Sequence, residues 1–403
     1  LSTLIAFAAL FVSVALMQIG SGTLAPLDAL SGAVLGFTPG QIGLLGSAHY
    51  AGFFVGCWAA PRMMVRVGHN RAFAGFASLG AIGALMHPME QDPHLWALMR
   101  TATGFSVAGA YTVIESWLHA RAENANRGRI FGVFRMVDLG GQLGAQALIA
   151  VLPPAAYVSY NLLALFCCLC MLPLSLTRQE APAIEGAPAL RPLQTLRLSP
   201  MGAAACVVSG LTGASFRMVG PVFGDAAGLS AQGVALFLAL AVLGGAVSQF
   251  PVGWLSDRID RRLVLIGLSA GALAVCFRGA TGAGDPQALF LVAFLFGATA
   301  FPLYSVGAAH ANDFARPGSV VELNASLMFL FGVGAILSPW LSATLIGAFG
   351  ARALFAFIAA AHVFLIAFGV WRMIARAGAE PRTPYRWLPR TSYVTARLIR
   401  RRD

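Results

Sequence analysis

Stretches of about twenty apolar residues recur along this chain with no soluble domain between them, and that recurrence limits its architecture more than any other feature. A helix of about 20 residues rises some 30 Å, the depth of a bilayer's hydrocarbon layer, where only helices or closed barrels satisfy every backbone N–H and C=O. Twelve stretches can be placed, at about 4–30, 40–60, 71–88, 94–119, 128–152, 157–176, 200–224, 231–254, 262–281, 287–312, 319–346 and 351–374. Only 11% of the 403 residues are charged and 58% are hydrophobic, far from the balance of a soluble domain. The sequence predicts an all-α membrane protein with twelve transmembrane helices. The apolar run after Leu1 is too long for a signal-peptide core and lacks a cleavage pattern, so it reads as span 1.

The net charge of +11 superficially suggests a nucleic-acid binder, but the positions of the arginines point elsewhere. All 27 basic residues are arginine, and they gather in alternate loops. Arg62, Arg66 and Arg71 follow span 2; Arg121, Arg127 and Arg129 follow span 4; Arg178, Arg191 and Arg197 lie between spans 6 and 7. Arg258, Arg261 and Arg262 follow span 8, Arg316 follows span 10, and the tail holds Arg376, Arg382, Arg386, Arg390, Arg397 and Arg400 to Arg402. The positive-inside rule then places both termini in the cytoplasm of a bacterial inner membrane protein. The tail anchors topology and can also meet anionic lipid. The expected partners are the bilayer, a small solute and, as a coupling ion, protons; no nucleic acid and no cofactor is implied, and a monomer is expected. Cys57, Cys167, Cys168, Cys170, Cys206 and Cys276 show no framework spacing and read as small buried residues.

The polar segment TRQEAPAIEGAPALRPLQTLRLSP, from Thr177 to Pro200, sits near the middle and reads as a linker between two copies of a six-span unit. Equivalent residues recur at nearly one offset. The turn GFT at Gly36 returns as GLS at Gly228, Gly104 and Tyr111 return as Gly297 and Tyr304, and Gly140 as Gly334. The resulting organisation is a bundle over 1–177, a cytoplasmic linker over 178–199, a second bundle over 200–375 and a basic tail over 376–403.

The loop after span 8, GWLSDRIDRR from Gly253 to Arg262, and in part PRMMVRVGHNR from Pro61 to Arg71, have the shape G-x-x-x-D-R-x-G-R-R. In these loops the chain resembles the major facilitator superfamily. The second copy has Asp260 where glycine is usual, and the first has Pro61 for the opening glycine and Val65 for the acid. RTATGF, from Arg100, is similar to the family's span-4 motif, and GFSVAGAYTVIESWL with NANRGRIFGVF resembles its YcaD-type branch. The resemblance runs to about residue 375. It implies a secondary transporter in which two six-helix bundles rock about a central site lined by spans 1, 4, 7 and 10. Antiporters of the family carry Gly-Pro on span 5, whereas here Ala145 follows Gly144 and the proline occurs only as Pro339. That departure counts against a drug–proton antiporter.

Charged residues inside spans are costly and normally have partners, so they mark candidate sites. Glu115 lies one to two turns from the basic-loop end of span 4, and Arg135 enters span 5 from that end. They read as a gate pair or relay, with a proton-carrying or substrate-binding Glu115 as the alternative. Within the motif loops, Asp257 is placed to accept from a neighbouring helix end and Arg258 to pair with an acid at the base of a nearby span; Arg66 and Arg71 stand in for the missing first-half acid. Arg100 joins this coupling or gate set. Asp138 lies near mid-depth, and Arg217 in span 7 needs Asp28, Asp225 or an anionic or carbonyl-bearing solute. Phe216, Tyr111, Phe301 and Tyr304 are an aromatic wall or ordinary packing; Gln18, His49 and Gln142 are cavity candidates or interhelical hydrogen-bonders.

Rival readings differ in what they require. MHPMEQDPH, from Met86 to His94, offers thioether and imidazole groups of the kind copper uptake uses, but prolines interrupt its spacing. A vitamin such as riboflavin would suit an aromatic and polar lining. An enzyme would need a nucleotide loop, metal cluster or nucleophile elbow, none of which the sequence displays. A non-transporting membrane assembly factor is the reading from another class, and it would carry no solute flux.

Overall fold

The computed structural model describes residues 7–121, 127–176, 190–281, 285–315 and 319–375. Among them, ten helices are long and apolar enough to cross a membrane. The two further long helices, Pro93–Arg121 and Arg127–Ile149, fall where spans 4 and 5 are expected and carry buried charges. Span 5 ends about three residues before its expected limit. The basic tail and most of the expected linker lie outside the described residues, although the short helix Pro192–Leu198 falls within the linker range.

The chain divides into two compact units, one of Leu1–Phe37 with Leu44–Ala187 and one of Thr38–Gly43 with Pro188–Asp403. In the first unit span 1 (Ala8–Val34) packs along span 5, and span 3 (His69–Met86) packs on spans 4 and 6 (Tyr157–Ser175). In the second, span 7 (Pro200–Ala226) packs along span 11 (Val320–Phe349), and span 9 (Arg261–Thr281) on span 12 (Ala353–Ala375). The same pairings therefore occur in both.

Glycine recurrences give this duplication a physical basis. Gly36 and Gly228 have φ of 79° and 83°, in the left-handed region that costs glycine little. Each ends a helix in a Schellman pattern: Phe37 N–H donates to Gly32 and Gly36 N–H to Ala33, as Leu229 donates to Gly224 and Gly228 to Asp225. The following Thr38 and Ser230 hydroxyls accept from Gln41 and Gly233 N–H groups, so each turn also starts the next span. A Cβ at Gly104 would collide with the His49 carbonyl oxygen, and one at Gly297 with that of Ala241. Gly140 breaks the expected correspondence, because a Cβ there meets nothing. Gly141 takes that place, pressed against Gln18 and Ala15 of span 1 as Gly334 is pressed against Val207 of span 7.

Lipid tails are as apolar as leucine, so these close approaches and van der Waals packing, rather than water exclusion, hold each bundle together. Span 10 (Pro286–Asn312) differs from span 4 by a break at Phe301–Pro302 between two helical segments. Pro302 has no N–H, so the Ala298 carbonyl lacks its usual donor. Five cysteines are buried as expected, whereas Cys168 is exposed on the bundle surface. Position within an apolar span does not reveal which way a small residue faces.

Candidate functional site

In the first unit, spans 1, 4 and 5 bring six of the candidate residues together. Glu115 is fully buried, and its carboxylate lies 3.7 Å from Arg135 Nη2. Arg135 Nη1 lies 3.4 Å from Asp138, one helical turn along span 5. Asp138 Oδ2 also accepts from Gln142 Nε2 at 3.1 Å, and Asp138 Oδ1 lies 2.5 Å from the Tyr111 phenol oxygen. That phenol is equally close to Gln18 Oε1, also at 2.5 Å. Tyr111 has one hydroxyl hydrogen for two acceptors, so either the Gln18 amide is turned to donate its NH₂ or Asp138 carries a proton. One guanidinium is thus shared between two carboxylates, with a phenol and two amides around them.

A second buried cluster lies at the opposite end of the same unit, and the sequence reading did not assemble it. Asp28 Oδ2 lies 3.5 Å from both His87 Nε2 and Arg100 Nε, and Tyr160 donates to Asp28 Oδ1 at 3.1 Å. The His87 ring stacks on Tyr160 with centroids 5.4 Å apart, and Trp96 donates to the His87 carbonyl at 2.9 Å. Asp28 and Arg100 carried individual signals, but spans 1, 3, 4 and 6 meet only in the tertiary structure. Asp28, one of several counter-charges the sequence offered for Arg217, thus has partners within its own unit. The cluster also dismantles the proposed copper ligands: His87 turns into the bundle, while His94 and Met89 are exposed.

The motif loops also differ from expectation. Arg258 stacks on Trp254, 3.7 Å from the ring centroid, and Arg261 instead makes the buried ion pairs. It binds Asp313 at the end of span 10, lies 3.1 Å from Asp257, and donates to the Ala309 carbonyl at 3.0 Å and Ser256 Oγ at 3.2 Å. Asp260 caps span 9 by accepting from Arg262 N–H at 2.9 Å and pairs with Arg262 Nη2 at 2.7 Å. Its burial favours the neutral acid, but the Arg262 contacts win and hold the carboxyl below its usual range. In the first unit Arg66 and Arg71 are exposed. The buried position there belongs to His69, 3.2 Å from Ser116 Oγ and packed against Trp117.

The remaining candidates separate. Arg217 is exposed, with its guanidinium carbon 5.0 Å from the Phe301 ring centroid. Asp225 is exposed about two helical turns away. Phe216, expected on an aromatic wall, is buried between Phe237 and Phe296, with centroids at 5.0 and 4.3 Å, so it packs the core. Tyr304 is buried edge-on to Phe331. His49 is partly buried beside Tyr50. Among the described residues, no group of three His, Cys, Asp or Glu side chains is placed to hold a metal ion.

The sequence profile of the Major Facilitator Superfamily matches residues 6–246 and 202–403. An uncharacterised MFS-type transporter of Enterobacter sp. (strain 638) is 28% identical over 352 residues, covering 85% of this chain and 88% of that one. The MFS-type transporter YcaD of Escherichia coli is 26% identical over 346 residues, again 85% and 88%. The crystal structure of the nucleoside transporter NupG superposes with a TM-score of 0.75 at 17% identity, covering 91% of this chain and 98% of that one, which shows the shared fold. With twelve long spans among the described residues, matching packing in its two units and this profile over its length, the chain belongs to the Major Facilitator Superfamily, in the YcaD-like branch, and is a membrane transporter.

Proposed function

We propose that the protein is a secondary active transporter that moves a small solute by alternating access and is driven by a proton gradient. The observation that carries the coupling is the Tyr111 phenol, 2.5 Å from both Asp138 and Gln18, with Asp138 in turn paired to Arg135 and Arg135 to Glu115. Desolvated carboxylates in a membrane span are costly unless they are paired or protonated. Solute binding that moves Arg135 between Glu115 and Asp138 would change which carboxylate needs a proton, and that links the two movements. The alternating basic loops support cytoplasmic termini. Arg261 with Asp257 and Asp313, and the Glu115–Arg135 pair, serve as conformational latches.

Purified protein in liposomes, given a pH step and a panel of small solutes, tests this reading. A solute should accumulate only while the proton gradient lasts, and Glu115→Gln should change the flux or its pH dependence. Solute flux indifferent to the gradient, with Glu115→Gln matching wild type at every pH, would overturn the coupling. No flux with any solute would favour an assembly factor and overturn the transporter reading of this site.

A further inference from the structure

Three arginines in or bordering the spans have carboxylate partners. Arg100 has Asp28, Arg135 has Glu115 and Asp138, and Arg261 has Asp257 and Asp313. Arg217 is different: among the described residues no carboxylate, carbonyl or hydroxyl reaches it, and its recorded contact is the face of Phe301. It is not at a helix end. Nine residues, about 14 Å, separate it from the Ala226 end of span 7 and about 26 Å from the Pro200 end. Helical side chains lean towards the helix N-terminus, so its guanidinium is carried away from the nearer end and deeper into the span. Phe301 fits that depth, about 22 Å along span 10 from Pro286, and it sits at the break in that helix.

An exposed, uncompensated cation at this depth is expensive beside lipid and tolerable where water or a ligand reaches it. Broken helices at mid-membrane are where transporters of this general kind form solute sites. With its carbon 5.0 Å over the Phe301 ring, the guanidinium spends no N–H on that contact, and its fork remains able to grip a planar oxyanion with two parallel hydrogen bonds. We infer that Arg217, laid on Phe301 beside the span 10 break, recognises a carboxylate group on the transported solute. This rests on the transporter reading and adds the class of its substrate. The positions equivalent to Arg217 and Phe301 in the first unit are Leu24 and Ala108, so the second unit alone supplies this contact.

The test uses full-length protein in detergent or nanodiscs with benzoate, nicotinate and lactate, each beside its neutral amide. Titration calorimetry and melting shifts should show at least one acid binding wild type while its amide does not. Arg217→Gln should weaken that acid about tenfold or more, and Arg217→Lys, which keeps the charge but loses the fork, should fall between. Arg217→Cys, made with Cys168→Ser, should react with a water-soluble methanethiosulfonate and be protected by the acid. Absence of binding by every acid, equal binding of the amides, undiminished affinity in Arg217→Gln and Arg217→Lys, or a Cys at 217 that only lipid-soluble reagents reach would each overturn the inference. Gradient-driven flux of a neutral solute with unchanged Arg217 variants would do so too, while leaving the transporter reading standing; absence of all flux would instead remove that reading.

Discussion

The phenol oxygen of Tyr111 in span 4 lies 2.5 Å from Asp138 Oδ1 in span 5, while Gln18 of span 1 approaches the same phenol just as closely. Three helices therefore meet over a single hydroxyl hydrogen. Replacing Tyr111 with phenylalanine removes that hydrogen and leaves Asp138 with Arg135 and Gln142 alone. Asp138→Asn should lower gradient-driven flux about tenfold or more and flatten its pH profile, and Tyr111→Phe should displace the profile. Flux measured in liposomes across a range of internal and external pH checks this; two variants with wild-type profiles would exclude Asp138 from coupling.

Asp28 is the shared acid of a buried group that contains His87, Arg100 and Tyr160. Removing one partner of a buried pair strands the other, at a cost of about 3–5 kcal/mol. Asp28→Asn should lower the thermal midpoint in detergent sharply, and adding Arg100→Gln should restore part of the loss because no lone charge remains. A double variant as unstable as the sum of its two parents would show that the residues do not act as a pair.

Asp260 stands where the family motif usually has glycine, and it caps span 9 through Arg262 N–H. Asp260→Ala should cost about 1 kcal/mol near neutral pH; because the carboxyl is partly exposed, its ion pair with Arg262 adds little beyond the cap. The native carboxyl titrates below its ordinary value of 3.8, so this contribution is complete above that value and disappears as pH falls through the lower folded-state value. Denaturation of wild type and Asp260→Ala at neutral and strongly acid pH should show the gap closing in acid. A gap that widened there would reverse the assigned sign.

The Glu115–Arg135 contact was legible before the structure because both charges lie at similar depth from one end of adjacent spans, and depth follows from residue counting. The Asp28 cluster was not, since its members come from four spans and no count along the chain gives the rotation of one helix against another. Rotation also decided between Arg258 and Arg261. They are three residues apart, but the helix ends between them, so one turns out to Trp254 and the other into the bundle.

The amino-acid sequence by itself determined that this is a twelve-helix membrane protein built from two related halves. Hydrophobic length is set by bilayer thickness, and glycine recurs wherever backbone must turn left-handed or approach closely. Only the tertiary structure decided which charges pair. Arg100, Arg135 and Arg261 found carboxylates, whereas Arg217 found the face of Phe301. A buried charge is stabilised by groups within a few ångströms, and which groups come that close depends on helix rotation and packing, which a linear pattern leaves open.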